Sequence, residues 1–218
     1  LQFVLLTGVT KFSQVSVFSG FNQPDDISMD ERYDALCGIT EDELYSTFGE
    51  QIRTMAVRYK TSEEDMKQKL KRKYDGYHFS PGMLDIYNPF SVLNALSKKM
   101  LSDFWFSTGT PTYLIRLLEH YDEHLNEIVS KYYPKEEFID YKADKEAPLP
   151  MIYQSGYLTI KDWNMEMDSY LLDFPNDEVK RGFLTMLASS YFKTREVTSS
   201  WVMQVVCVME KGDCKQLE

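Results

Sequence analysis

The sequence predicts a mostly helical α+β chain. Three observations carry that class. Apolar residues recur at spacings of three and four over long stretches, those stretches open on capping residues, and two short apolar runs flank a polar turn near the end. A fourth feature stands apart from these. Phe3-Val4-Leu5-Leu6, stopped by Thr7-Gly8, shows no alternation and reads as a strand buried on both faces, as in the middle of a parallel sheet. No second strand of that kind follows it, so either its neighbours lie upstream or it pairs with another segment.

From the N-terminus, Gly20 to Pro24 reads as a turn-rich connection, and Ser28 as the cap of a short helix ended by Gly38. Thr40 caps a longer helix, in which Leu44, Phe48, Ile52, Met55 and Tyr59 form one apolar stripe. Thr61 or Ser62 caps a third. Its end holds a basic run, Lys67, Lys69, Lys71, Arg72 and Lys73, while Glu63, Glu64 and Asp65 open it. Acid first and base last is the order the helix dipole favours, and this reading takes precedence over a phosphate-binding patch. Tyr74 to Phe79 is an Asp-Gly turn held between aromatics, and Asn88-Pro89 is a helix start with Val92, Leu93 and Leu96 as its core face.

Thr108-Gly109-Thr110-Pro111 turns the chain into a helix through Leu114 and Leu118. Its cap is expected to satisfy its own backbone rather than to receive an anion. His120-Tyr121-Asp122-Glu123-His124 matches H-x-x-E-H, a zinc-peptidase pattern that works only on one continuous helix. Asp122 instead reads as the cap of a new helix carrying Leu125, Ile128, Val129 and Tyr132, so these histidines are expected on the surface and no metal site is expected. Pro134 to Pro150 reads as a charged linker with a short helix at most. It contains Asp140-Tyr141-Lys142, half of a nuclease-like pattern, but no apolar strand surrounds that triplet. Met151 to Gly156 is a short helix, and Tyr157–Ile160 with Tyr170–Leu172 forms a β-hairpin. Helices followed by such a hairpin outline a winged-helix-like unit. The turn Asp162-Trp163-Asn164-Met165-Glu166-Met167-Asp168 is acidic where a DNA-binding wing would be basic, so a protein-contact or packing role is expected for it. Pro175 starts a further helix with Val179, Phe183, Met186, Leu187 and Tyr191 on one face. A last helix, begun at Asp213, breaks off at Glu218 and predicts an excised segment of a longer protein.

Composition narrows the function classes. A net charge of −10 repels phosphate backbones, so non-specific nucleic-acid binding is not expected. No apolar run reaches the roughly 18 residues of a membrane span, and no signal peptide is expected. Three cysteines without a C-x-x-C pair argue against a disulfide framework and for a cytoplasmic setting.

Five later blocks follow the run Phe3 to Asn22: Lys73 to Phe79, Tyr87-Asn88-Pro89-Phe90-Ser91, Phe104 to Thr112, Gln154 to Ile160, and Phe174 to Val179. In their order and spacing the chain resembles the C-terminal part of the ATPase module in the bacterial AAA-ATPase-like family, whose members often carry a PD-(D/E)XK nuclease-like domain further on. The resemblance implies a residual strand of a P-loop NTPase core over 1–60, a helical lid over 61–147, and a winged-helix-like region with a broken-off helix over 148–218. It implies a parent protein that binds ATP and magnesium, with an upstream P-loop half and a downstream nuclease-like domain as partners. Thr7 would then be the sensor that orients water or contacts the γ-phosphate, with Gly8 beside it and Lys11 supplying positive charge. The chain has no G-x-x-x-x-G-K-[ST] motif, so by itself it is expected to be inactive and to hold no cofactor. The rival class is a non-catalytic protein-interaction module, and a zinc hydrolase through His120 and His124 ranks below it.

Overall fold

The computed structural model describes residues 25–105, 128–139 and 148–191, together with Leu5, Thr7 and Gly8. Among these residues the chain is α+β, with six α-helices and two small antiparallel sheets. Of the strand expected at Phe3–Leu6 only Leu5 is described, and the helix after Pro111, the histidine pair, the Asp140 triplet and the helix begun at Asp213 lie outside the described residues.

Helix α1 (Glu41–Arg58) opens where its sequence says it should. Thr40 accepts from the Glu43 amide at 3.3 Å, and Glu43 accepts in return from the Thr40 amide at 3.0 Å, a complete capping box. Ser62 caps α2 (Glu63–Tyr74), and Asn88 with Pro89 opens α3 (Pro89–Lys98). The residue just before the α1 cap belongs to β1 (Ile39–Thr40), which pairs antiparallel with β2 (Ile86–Tyr87). Buried side chains of the three helices, among them Leu44, Ile52, Met55, Met66, Leu70 and Val92, form one core with Tyr74, Tyr87 and Phe104.

The second core sits under a three-stranded sheet. Its strands are β3 (Lys131–Pro134), β4 (Thr159–Asn164) and β5 (Ser169–Asp173), in the order β3-β5-β4 and all antiparallel. Helices α4 (Lys135–Phe138), α5 (Pro148–Gln154) and α6 (Asp177–Tyr191) contribute Phe138, Ile152, Val179 and Phe183 to that core, against Ile160 and Leu172 of the sheet. Strand β2 serves both cores. Successive residues of a strand face opposite sides, and Ile86 enters the sheet core while Tyr87 enters the helical one.

Four expectations are corrected. No helix runs from Ser28 to Gly38. Asp30 captures the Arg32 amide and guanidinium, which leaves only a 3₁₀ turn over Glu31–Tyr33. Gly38 is there for close approach, since a Cβ on it would stand 1.9 Å from Ile86 Cγ2. Within α1, Phe48 leaves helical geometry (φ −114°, ψ 18°), so the apolar stripe is carried across a kink. The helix expected through Tyr132 is a turn followed by β3, where Tyr132 pairs with Leu171 and Tyr133 with Tyr170. Helix α6 begins after Pro175, with Asn176 as its cap: the Val179 amide donates to Asn176 Oδ1 at 3.1 Å. Thr40→Ala removes one half of the capping box and leaves the other, and it is expected to lower unfolding free energy by about 1 kcal/mol in urea titration. Ser62→Ala should cost about as much, and the two losses should add, because the caps share no partner.

Candidate functional site

The segment Asp75-Gly76-Tyr77-His78-Phe79 leaves the end of α2 and runs between the two cores. Tyr74, the last residue of the helix, is pinned first: its hydroxyl donates to the Ser102 carbonyl at 2.8 Å and accepts from the Ser102 amide at 3.0 Å. Gly76 then takes φ +90°, and a Cβ there would meet the Pro175 carbonyl oxygen at 2.5 Å, so the position suits only glycine. Tyr77 bridges to Ile86 through two backbone hydrogen bonds, and its hydroxyl donates to the Gly156 carbonyl at 3.2 Å.

His78 is fastened to β4 three times. Its amide donates to Thr159 Oγ1 at 2.8 Å, the same hydroxyl donates to the His78 carbonyl at 2.8 Å, and Nδ1 lies 2.7 Å from the Ile160 carbonyl oxygen. A carbonyl only accepts, so Nδ1 carries a hydrogen. Nε2 lies 2.7 Å from Asp85 Oδ1, a second acceptor.

Around this segment the charges form one network. Lys71 Nζ sits 2.7 Å from Glu41, 3.3 Å from Asp85 and 3.9 Å from Asp75, and Glu41 foremost, with Asp85, strengthens its hold on the proton against the opposing effect of burial. Burial pushes the Asp85 carboxyl up, but hydrogen bonds from His78 and Lys71 outweigh it and hold the group below its usual range. Asp75 differs: it is 2% exposed, neither carboxylate oxygen has a hydrogen-bond partner, and burial pushes its pKa up to about 6. Lys161 of β4 staples the segment from the other side. Its ammonium donates to the Gly76 carbonyl at 2.6 Å and the Pro175 carbonyl at 3.1 Å, and burial lowers its pKa. Asn176 Nδ2 donates to the Asp75 carbonyl at 2.9 Å, and buried Glu178 accepts from the Trp105 amide at 2.9 Å.

Two clefts open on this seam. One, of about 410 Å³, is lined by Lys71, Asp75, Gly76, Asp85, Lys161 and Lys180 among others. The second, of about 470 Å³, is lined by Tyr77, His78, Tyr87, Asn88, Trp105 and residues 153–156, and Gly8 lies on its wall. Of the residues singled out for a nucleotide, Thr7 and Gly8 are exposed, and Gly8 alone of the two lines the cleft. Lys11 lies outside the described residues. Among the described residues that line the second cleft there is no lysine or arginine, so these residues offer aromatic faces, hydroxyls and amides.

The basic run of α2 is mostly taken up by carboxylates: Lys67 by Glu63 at 3.4 Å, Lys71 as above, Arg72 by Asp177 at 2.7 Å, and Lys73 by Asp103. Among the described residues no group of three or more His, Cys, Asp or Glu is arranged to hold a metal ion, and no helix is long and apolar enough to cross a membrane. The roles of Asp85, Lys161 and Glu178 were missed from sequence. The one available signal was that Glu178 and Asn176 fall in the block Phe174 to Val179, which carries the family resemblance.

The chain has a longer relative. It is 33% identical over 196 residues to a protein of Azotobacter chroococcum mcd 1 described as an uncharacterized protein in the vnfD 5′ region. That alignment takes in 88% of this chain, and the chain spans 35% of the relative's length. No family model and no solved structure matches.

The orphaned Asp75 generates a prediction. Its folded-state value of about 6 stands above its ordinary 3.8, so the folded chain binds the proton more tightly than the unfolded one. Stability from this group is therefore present below about pH 4, is lost as pH rises through 4 to 6, and stays lost above that. Asp75→Asn should remove this slope. At pH 7.5 it should raise unfolding free energy by up to about 3 kcal/mol, and at pH 4 by much less. Urea titrations of both proteins across pH 4 to about 8 test this, and parallel curves would refute it.

Proposed function

We propose that this chain is the sensor and lid portion of an AAA-ATPase-like protein, in which ATP and magnesium bind mainly to an upstream P-loop half and the lid relays the nucleotide state to an effector such as a nuclease-like domain. One observation carries the reading. The cleft beside Gly8 is lined largely by the sequence blocks on which the resemblance rests: Tyr77 to Phe79, Tyr87 to Pro89, Trp105, Gln154 to Gly156, and Leu158 with Thr159. Residues 81 and 82 apart in two of these blocks meet in direct hydrogen bonds there. In this reading the three-stranded sheet with α5 and α6 is the winged-helix-like end of the lid, and the strand before Thr7 is the last remnant of the P-loop core. The protein is cytoplasmic. The greater length of the relative is consistent with a parent that has further domains.

The cleft's lining sets what this portion does for a nucleotide. The described residues on its walls include no lysine or arginine, so in this reading they supply contacts to rings and hydroxyls, while Thr7 and Lys11 of the sensor strand would meet the γ-phosphate. The chain alone should hydrolyse no ATP and should show no binding in the low micromolar range by calorimetry. In the parent protein, Thr7→Val and Lys11→Ala should each lower kcat roughly ten- to a thousand-fold, about 1.4 to 4 kcal/mol, with a smaller change in nucleotide Kd. Full turnover in both folded variants would reduce Thr7-Gly8 to a strand end and would favour a non-catalytic interaction module.

A further inference from the structure

The β4–β5 turn presents two methionines to solvent on a backbone that is held in place. Met165 is 72% exposed and Met167 75%, the largest exposures of any large apolar side chain described except Val57 at 79%. The turn beneath them is ordered by its own residues. Asn164 Oδ1 accepts from the Glu166 amide and from the Met167 amide, each at 3.1 Å, and Asp168 takes φ +45° to return the chain. Asn164 pairs with Ser169 across the base of the turn, and one pair further in Trp163 stacks on Tyr170 with ring centroids 6.3 Å apart. A tip so constrained loses little freedom on binding. Methionine, unbranched and polarisable, moulds itself to an apolar cup better than other aliphatic side chains.

The charge around the tip selects the kind of cup. Asp162, Glu166 and Asp168 are exposed, and residues 162–168 contain no basic side chain. Lys161, the lysine that adjoins this stretch in sequence, is turned away to the Gly76 and Pro175 carbonyls. Phosphates of nucleic acid or of anionic lipid would face these carboxylates. So would a second copy of a chain carrying net charge −10. We propose that the β4–β5 turn is a docking prong whose two methionines seat in an apolar pocket rimmed by lysine or arginine on a partner protein surface. The proposal stands on the tip alone and does not depend on the ATPase reading.

The probe is a synthetic amphipathic helical peptide with a leucine face flanked by lysines, together with a copy in which glutamates replace the lysines. Fluorescence anisotropy with the full chain should show saturable binding of the lysine peptide that weakens with salt, and none of the glutamate peptide. The double variant Met165→Ser, Met167→Ser should weaken binding at least tenfold with an unchanged circular dichroism melt, since both side chains are exposed. Glu166→Gln with Asp168→Asn should weaken binding and flatten its salt dependence while leaving the methionines in place. Failure of the lysine peptide to bind overturns the proposal. So does binding of equal strength in the methionine variant, which would assign the attraction to the chain's overall charge.

Discussion

The structure depends on a ribbon of backbone shared by two hydrophobic cores. A strand alternates its side chains, so a ribbon between two apolar clusters can feed both. Ile86 and Tyr87 do this directly, Tyr74 and Tyr77 do it across the end of α2, and Phe104 and Trp105 do it where α3's following segment comes in. Most of such a ribbon is buried, and its buried amides and carbonyls need partners within the protein. Those partners come from distant chain: Thr159 and Ile160 for His78, Gly156 for the Tyr77 hydroxyl, Lys161 for Gly76, Asn176 for Asp75. The requirement to satisfy the ribbon's polar groups therefore ties β4, α5 and the start of α6 to the helical half. Apolar burial alone is non-directional and would leave their relative orientation loose.

The same constraint explains the buried charges. Lys161 emerges from a strand whose neighbours alternate, and in sequence it reads as a solvent-facing residue; in the structure it is the donor that the Gly76 and Pro175 carbonyls require. His78 has acceptors on both ring nitrogens, and Asp85 is the one that also belongs to the Lys71 network. Asp75 is the exception, since its backbone is well partnered while its carboxylate has no hydrogen bond and only the Lys71 ammonium 3.9 Å away. A buried carboxylate without hydrogen bonds is destabilising in its ionised form. Its place beside a cleft makes the seam a spot where this chain's stability is not maximal.

What was legible in the sequence follows from distance along the chain. Thr40, Ser62 and Asn88 find their amide partners three residues away, and each is readable from its own neighbourhood. The hairpin is readable for the same reason, its two strands being joined by a turn of four residues. Lys131–Pro134 becomes a strand only because β5 offers it an edge, and nothing in that stretch separates a strand from the continuation of a helix. Ser28 looked like a cap, but Asp30, two residues on, competes for the backbone with both its carboxylate and its ion pair to Arg32. At the candidate site, Tyr74 to Phe79 was legible as a turn. That it is also the seam was not, because its partners lie 79 to 101 residues away.

The charge distribution bears on how nucleotide and effector would be connected. Cations near the seam are largely committed: Lys71 to Glu41 and Asp85, Arg72 to Asp177, Lys73 to Asp103, Lys161 to two carbonyls. Recruiting Lys71, Lys73 or Lys161 for a phosphate would strand a carboxylate or carbonyl partner in a part-buried setting, which costs more than the exposed pairing it would gain. In the reading proposed above, this portion would sense a phosphate held elsewhere rather than hold one. Sensing needs a stiff connection, and the seam has one. His78, on the wall of the cleft beside Gly8, is bound by three hydrogen bonds to the first two residues of β4. A shift of His78 must either break these bonds or carry β4 with it, and β4 leads within four further residues to the methionine-bearing turn. Cleft and prong are thus two ends of one strand, and a ligand that displaced the first would move the second.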